Sequence, residues 1–154
     1  MNKKRILVVE DEAVIALDIK VNLIRLGYEV PGIASSGEEA IKSAEQLRPD
    51  LILMDITLNG EMNGLEAAIS INKNLNIPVI FLTAHSDSEM IRLGKEAGAY
   101  GYLPKPYDAR ALRSSIEMAH ARFEDMVEIR RLNQELQHSI QELKKLRKTD
   151  AKRK

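Results

Sequence analysis

Five short apolar runs divide the first two-thirds of the chain, and each is followed by a stretch with helical spacing. We predict strands at 5–9, 29–34, 51–54, 78–82 and 99–103, all near the usual length of about five residues. Their apolar residues are continuous rather than alternating, which indicates burial on both faces of a sheet. This pattern predicts a parallel sheet covered by helices, the doubly wound α/β class.

The segments between the runs carry apolar residues at the spacing of amphipathic helices. Four such seams are Ile15, Ile19, Leu23 and Leu26; Ala40, Ile41, Ala44 and Leu47; Leu65, Ala68 and Ile69; and Met90, Ile91, Gly94 and Ala97. Asp87 is a candidate N-cap for the fourth helix, because its carboxylate can accept from the first-turn N–H groups.

A long helix is predicted after Pro106, since residues 108–148 contain neither glycine nor proline. At about 1.5 Å per residue such a helix is roughly 60 Å long, more than a small domain can cover. Its second half carries a heptad-like seam of Ile129, Leu132, Leu136, Leu143 and Leu146. We therefore predict a domain at 1–121, a coiled-coil extension at 122–148 that forms a homodimer, and a frayed basic tail at 149–154.

Composition and charge argue against several classes of function. The chain has no cysteine and three histidines, so a metal would be bound by oxygen ligands. Residues 1–107 hold 11 basic and 15 acidic residues, and residues 108–154 hold 12 and 8. This balance provides no overall nucleic-acid-binding field. The basic start is followed by an apolar run too short for a signal peptide or membrane span, so we predict a cytoplasmic protein.

Reactive side chains occur where the predicted strands end. Glu10 and Asp11 follow the first strand, Asp55 the third, Thr83 ends the fourth and Lys105 follows the fifth. Ligands of doubly wound sheets bind at the carboxyl ends of the strands. Three carboxylates gathered there repel each other unless a cation lies among them, and a hydroxyl and an ammonium complete a pocket for a phosphoryl group.

The motifs at these strand ends resemble the receiver domain of two-component response regulators, the CheY-like superfamily. The resemblance covers about residues 4–120 and rests on Val-Val-Glu-Asp-Glu at 8–12, Leu-Ile-Leu-Met-Asp-Ile at 51–56, Phe-Leu-Thr-Ala at 81–84 and Tyr-Leu-Pro-Lys-Pro at 102–106. It implies a flavodoxin-like five-stranded sheet of order 2-1-3-4-5, and a sensor histidine kinase as partner.

The resemblance also implies a role for each matching residue. Asp55 would accept the phosphoryl group as nucleophile. Asp11 would bind Mg²⁺ or Mn²⁺ directly, and Asp55 would be a further ligand of the ion. Glu10 would bind it through a water molecule, and the backbone carbonyl of Thr57 would add a ligand. Hydrolysis of the acyl phosphate would be the only other reaction, at a rate tuned by Thr57 and His85.

Three further residues would stabilise and report the phosphoryl group. The Lys105 ammonium would contact it, aimed by a cis Lys105-Pro106 bond. The Thr83 hydroxyl would turn toward it, and the ring of Tyr102 would fill the space left behind. One departure from the family is that Gly64 lies nine residues after Asp55 rather than eight, so the intervening loop is one residue longer.

Three other readings stay open at this point. Glu10, Asp11 and Glu12 would also suit the first turn of a helix. The chain would be a Mg²⁺-dependent phosphatase if Asp55 acted on small substrates, although Thr57 stands where such enzymes need an acid/base carboxylate. The chain would be a pseudo-receiver if it bound partners without being phosphorylated, but the presence of Asp11, Asp55, Thr83 and Lys105 argues against this.

The extension resembles linker helices that join receivers to RNA-binding antiterminator, sensory or kinase domains, and its output partner stays open.

Overall fold

A computed structural model describes residues 2–84 and 88–153. Strands and helices alternate throughout. The strands are β1 Ile6–Val9, β2 Ile33–Ala34, β3 Leu51–Asp55, β4 Val79–Thr83 and β5 Gly101–Pro104. The helices are α1 Ala13–Arg25, α2 Gly37–Leu47, α3 Gly64–Asn74, α4 Ser88–Glu96 and α5 Ala109–Arg153. All strand pairs are parallel, in the order β2-β1-β3-β4-β5, which confirms the predicted topology.

Both faces of the sheet are buried, as the continuous apolar runs predict. Leu7, Ile52 and Phe81 lie in the core beneath α2 and α3, together with Ala97 just after α4. Their neighbours in sequence point the other way, and Val8 and Leu53 pack beneath α1 and α5. Alternation along each strand therefore sends apolar side chains into two separate cores.

The second strand is much shorter than the predicted 29–34. Glu29 makes an isolated parallel bridge with Arg5, and regular pairing resumes only at Ile33. Pro31 lies between these points and has no N–H to donate. The ladder is interrupted there, although both ends of the predicted segment remain beside β1.

The long helix α5 belongs to two parts of the chain that differ in burial. Residues Leu112, Ile116 and Ala119 are buried against the sheet, and the chain divides into two compact units after His120. The helix also continues to Arg153, through residues that we expected to be frayed. Thr149 Oγ1 donates to the Lys145 carbonyl at 3.0 Å, and basic residues near the carboxyl end suit the helix dipole.

No helix among residues 2–84 and 88–153 combines the length and apolar character needed to cross a bilayer. Two expectations fall outside the described residues: the capping role of Asp87 and the tuning role of His85.

Candidate functional site

The carboxyl edge of the sheet brings the predicted site residues together. Lys105 Nζ lies 3.4 Å from Asp55 Oδ2 and 3.7 Å from Glu10 Oε2. Parallel pairing explains the meeting, because β1, β3, β4 and β5 lie side by side in that order and their carboxyl ends share one edge of the sheet. Residues far apart in sequence thus share one small pocket.

Three carboxylates form the acidic part of this pocket. One oxygen each from Glu10, Asp11 and Asp55 lies within 4.8 Å of the others. Glu10 is 2% exposed; its Oε1 accepts from the Glu12 N–H at 3.4 Å, while its buried Oε2 accepts no hydrogen bond within the described part of the chain. A buried carboxylate oxygen without a donor is well suited to a cation.

Burial, and secondly the neighbouring Asp55 carboxyl, raises the pKa of Glu10 to about 7. The nearby Lys105 ammonium works in the opposite direction but does not cancel them. The two carboxylates therefore do not ionise independently. A divalent cation between them would favour the charged form of both.

Asp55 is buried, and its two oxygens have different surroundings. Oδ1 accepts from the Thr57 backbone N–H at 3.0 Å and from Thr57 Oγ1 at 3.1 Å, while Oδ2 faces Lys105. Burial alone would raise the pKa of Asp55, but the Glu10 carboxyl, the Thr57 N–H and the Lys105 ammonium together lower it. The surroundings of Asp55 therefore favour its ionised form, whereas those of Glu10 favour its neutral form.

Lys105 reaches the pocket because of the backbone around it. Its N–H donates to the Thr83 carbonyl at 2.7 Å, and the Lys105-Pro106 bond is cis, as predicted. Thr83 itself is buried at the end of β4, one residue beyond the partner of Asp55 in the β3–β4 ladder. The hydroxyl-bearing and ammonium-bearing residues are thereby joined through one hydrogen bond.

Tyr102 is packed against α4. Its hydroxyl donates to the Ile91 carbonyl at 2.7 Å, and its ring stacks on Phe81 with centroids 6.3 Å apart. Gly94 makes room for the ring, since a Cβ there would come within 2.6 Å of it. Any rotation of Tyr102 would break a contact with α4.

Two residues that follow β3, Asn59 and Gly64, shape the pocket through contacts that the sequence did not predict. The Asn59 backbone N–H donates to Asp11 Oδ2 at 3.2 Å. Gly64 starts α3 against β3, where a Cβ would lie 2.3 Å from the Asp55 carbonyl oxygen. The glycine spacing was visible in the sequence, but a backbone donor carries no residue signature.

Comparisons with known proteins agree with this geometry. The sequence model of the response regulator receiver domain matches residues 6–117. The transcriptional regulatory protein PdtaR of Mycobacterium tuberculosis is 37% identical over 123 residues, which cover 80% of this chain and 60% of that protein. This chain belongs to the response regulator receiver family.

Two further relatives lead to the same family. The alkaline phosphatase synthesis transcriptional regulatory protein PhoP of Bacillus subtilis is 41% identical over 118 residues, 76% of this chain and 48% of that protein. The signal receiver domain of a modulated diguanylate cyclase from Desulfovibrio desulfuricans G20 superposes with a TM-score of 0.74 at 39% identity, covering 80% of this chain and 98% of that one.

The receiver chain spans only about half to three-fifths of the two regulators it matches. Receiver domains act in two-component signalling, where histidine kinases phosphorylate them, and the fold and pocket described above are consistent with a phosphorylation-activated switch. The matched region ends at residue 117, before the second half of α5.

Proposed function

We propose that this receiver accepts a phosphoryl group on Asp55 from a sensor histidine kinase in the cytoplasm. The observation that carries this proposal is the arrangement around Asp55, a buried ionised carboxylate beside an ammonium and two further carboxylates. A carboxylate oxygen would attack phosphorus in the phosphohistidine. The new P–O bond forms as the P–N bond breaks, and the electron pair of the P–N bond leaves with the imidazole.

Mg²⁺ or Mn²⁺ fits the acidic cluster, because hard cations prefer carboxylate oxygens and Glu10 offers a buried one without a donor. Asp11 and Asp55 would hold the ion directly, Glu10 through a water molecule, and Thr57 through its backbone carbonyl. When bound, the ion neutralises charge that develops on the phosphoryl oxygens.

The chain's own residues would perform the remaining steps. Lys105 would move from the Asp55 carboxylate to a phosphoryl oxygen, a shift that its 28% exposed side chain allows. The Thr83 hydroxyl would approach the same group, and Tyr102 would leave α4 to occupy the space. The surface formed by α4, β5 and α5 would then differ between the two states.

The Thr57 contacts favour a switch over a phosphatase acting on other substrates. The Thr57 N–H and hydroxyl both donate to Asp55 Oδ1, whereas protonation of a leaving alcohol calls for an acid at this position. We therefore propose that the receiver catalyses only its own phosphorylation and dephosphorylation.

The decisive experiment treats the full chain with acetyl phosphate and Mg²⁺ and measures its intact mass. We expect one added phosphoryl group on the parent and on the Asp50→Asn control, and none on Asp55→Asn. Magnesium binding without any labelling would support a pseudo-receiver instead. Rapid turnover of many phosphate esters would support a phosphatase.

We also propose that residues 1–121 are the receiver, that 122–148 form a coiled-coil homodimer, and that 149–154 are a basic tail. The extension exposes its whole apolar seam: Ile129, Leu132, Leu136, Leu143 and Leu146 are each about half exposed or more. In the heptad that puts Ile129 at position a, three glutamates recur at position g: Glu128, Glu135 and Glu142. In an antiparallel pair these glutamates would face glutamates of the other helix and repel them, so the charge pattern favours a parallel pair.

A further inference from the structure

The loop between β3 and α3 contains the dipeptide Asn-Gly twice, at 59–60 and at 63–64. Identical dipeptides four residues apart share the same intrinsic chemistry. Their surroundings differ completely, which makes this loop a test of what structure does to a reactive sequence.

Asparagine followed by glycine is prone to deamidation. The backbone nitrogen of the glycine attacks Cγ of the asparagine, a C–N bond forms, and the Cγ–Nδ2 bond breaks. Ammonia leaves with the proton that the backbone nitrogen has lost, and a succinimide ring remains. Water then opens the ring at either carbonyl, which yields aspartate or isoaspartate without any oxidation or reduction.

Asn59 and Gly60 are free to follow this path. Both residues are exposed, and the space where a Cβ of Gly60 would lie is open within 4 Å. Gly60 has φ +112°, a conformation that only glycine adopts easily. Among the described residues, neither the Asn59 side chain nor the Gly60 N–H makes a hydrogen bond.

Asn63 and Gly64 are held in place. Asn63 is the N-cap of α3, and its Oδ1 accepts from the Glu66 N–H at 2.9 Å. Gly64 is buried in the first turn of α3, against the backbone of Asp55. Ring closure would break the cap and move the start of the helix away from β3.

We infer that Asn59 is a site of spontaneous deamidation and that Asn63 is protected by the fold. Because the Asn59 N–H donates to Asp11 Oδ2, conversion adds a carboxylate at the rim of the acidic cluster. The isoaspartate product also inserts a methylene into the main chain of this loop. The charge of the pocket's rim therefore changes with the age of the molecule, whether or not Asp55 is phosphorylated.

The test incubates the full chain in mildly alkaline buffer at physiological temperature and follows both sites by peptide mapping, which separates aspartate from isoaspartate. In the folded protein we expect Asn59 to convert at least about tenfold faster than Asn63. This factor corresponds to the free energy lost when the N-cap hydrogen bond of Asn63 breaks. In denaturing urea the two rates should converge. A ratio unchanged by urea, or equal rates in the folded protein, would overturn the inference.

Two variants sharpen this test. Asn59→Gln should abolish nearly all early conversion of the folded chain, because the longer side chain closes its ring far less readily. Asn63→Ser keeps an N-cap oxygen and should leave the Asn59 rate unchanged. Early conversion that persists in Asn59→Gln would refute the assignment. Phosphorylation is not measured in either arm, so the outcome is independent of the proposed function.

Discussion

The environment of Glu10 is unfavourable for a charged carboxylate without a cation. Glu10 is buried, one of its oxygens lacks a donor in the described part of the chain, and burial raises its pKa. Such a group would destabilise the pocket without a cation and stabilise it with one bound. A stability cost at a binding site is expected where function requires a cluster of like charges.

Replacing Glu10 should therefore have opposite effects with and without metal. In EDTA at mildly alkaline pH, we expect Glu10→Gln to raise the free energy of unfolding by about 1–3 kcal/mol, because it removes a buried charge that is poorly compensated. With Mg²⁺ present the parent should gain more stability than the variant, since only the folded state binds the ion. Chemical denaturation with both additives measures this.

The matched control for that measurement is Glu12→Gln, an exposed neighbour outside the cluster. It should change stability little in either buffer. A destabilising effect of Glu10→Gln in EDTA would show that the Glu10 carboxylate stabilises the pocket without metal, and would contradict the expected cost of burying it.

A second carboxylate, Glu117, stabilises the fold through ordinary partners. It accepts from Lys4 Nζ at 2.8 Å and from the Tyr28 hydroxyl at 2.6 Å, and these two hydrogen bonds lower the pKa of Glu117 below 4.5. A lowered folded-state pKa means that the stabilisation is present above about pH 4.5 and is lost as the pH falls through the folded value.

The free energy of unfolding should report this titration. We expect Glu117→Gln to be less stable than the parent between pH 6 and 8, by roughly 1 kcal/mol or less because the carboxylate is half exposed. The difference should shrink toward pH 3. Glu45→Gln on α2 is the control. A gap between parent and Glu117→Gln that stayed constant with pH would contradict the lowered pKa.

At the scale of elements, the contact between α4 and β5 depends on one glycine. Gly94 lies inside a helix, where alanine is ordinarily preferred by about 1 kcal/mol, yet a Cβ would collide with the Tyr102 ring. The fit of Tyr102 under α4, and hence the proposed signal, requires that helix-disfavouring residue.

A double-mutant cycle tests this coupling. Gly94→Ala alone should lower the free energy of unfolding by about 1–3 kcal/mol through overpacking. In a Tyr102→Ala background the same change should be neutral or stabilising, because the ring is gone. Additive effects in thermal or chemical denaturation would show that Gly94 and Tyr102 do not constrain each other.

The extension is the other element whose behaviour can be tested directly. The chain has no cysteine, so a single Ser139→Cys change at heptad position d creates one reporter. In a parallel dimer the two introduced thiols face each other across the seam, and we expect rapid disulfide formation on mild oxidation. Gln134→Cys, at the outer position f, should cross-link much less. Equal cross-linking of both variants would argue against the proposed register.

At the scale of the whole molecule, the two compact units differ in burial. The receiver contains the buried core and the pocket, whereas residues 122–153 are exposed apart from the half-buried Phe123. We expect a chain ending at Ala121 to be monomeric and to take up phosphoryl groups from acetyl phosphate like the full chain. The full chain should sediment as a dimer.

Sedimentation at tens of micromolar separates the possibilities. If both the shortened and the full chain were monomeric, the coiled-coil dimer would be refuted, while the proposed chemistry of the receiver would be unaffected. A dimer formed by both chains would place the association surface within the receiver instead of the extension.

The fold class and the gathering of the strand-end residues were predictable from local patterns, whereas the strand order came from the resemblance of the strand-end motifs to the receiver family. Continuous apolar runs indicate strands buried on both faces, and parallel strands bring Asp55 and Lys105 to one edge whatever the loops do. The length of β2 was predicted wrongly as 29–34. Pro31 has no N–H to donate to β1, and the apolar character of the segment does not show where the pairing stops.

The fold class and the residue types at each strand end followed from the sequence alone, because spacing and motif are local properties. The way those residues affect each other became visible only in the folded chain: the buried Glu10 oxygen that accepts no hydrogen bond among the described residues, the backbone donor at Asn59, and the fit of Gly94 to Tyr102. The same holds for the two Asn-Gly pairs, where one dipeptide is exposed and the other caps a helix. Burial and hydrogen bonding depend on segments distant in sequence, so they arise only when the chain has folded.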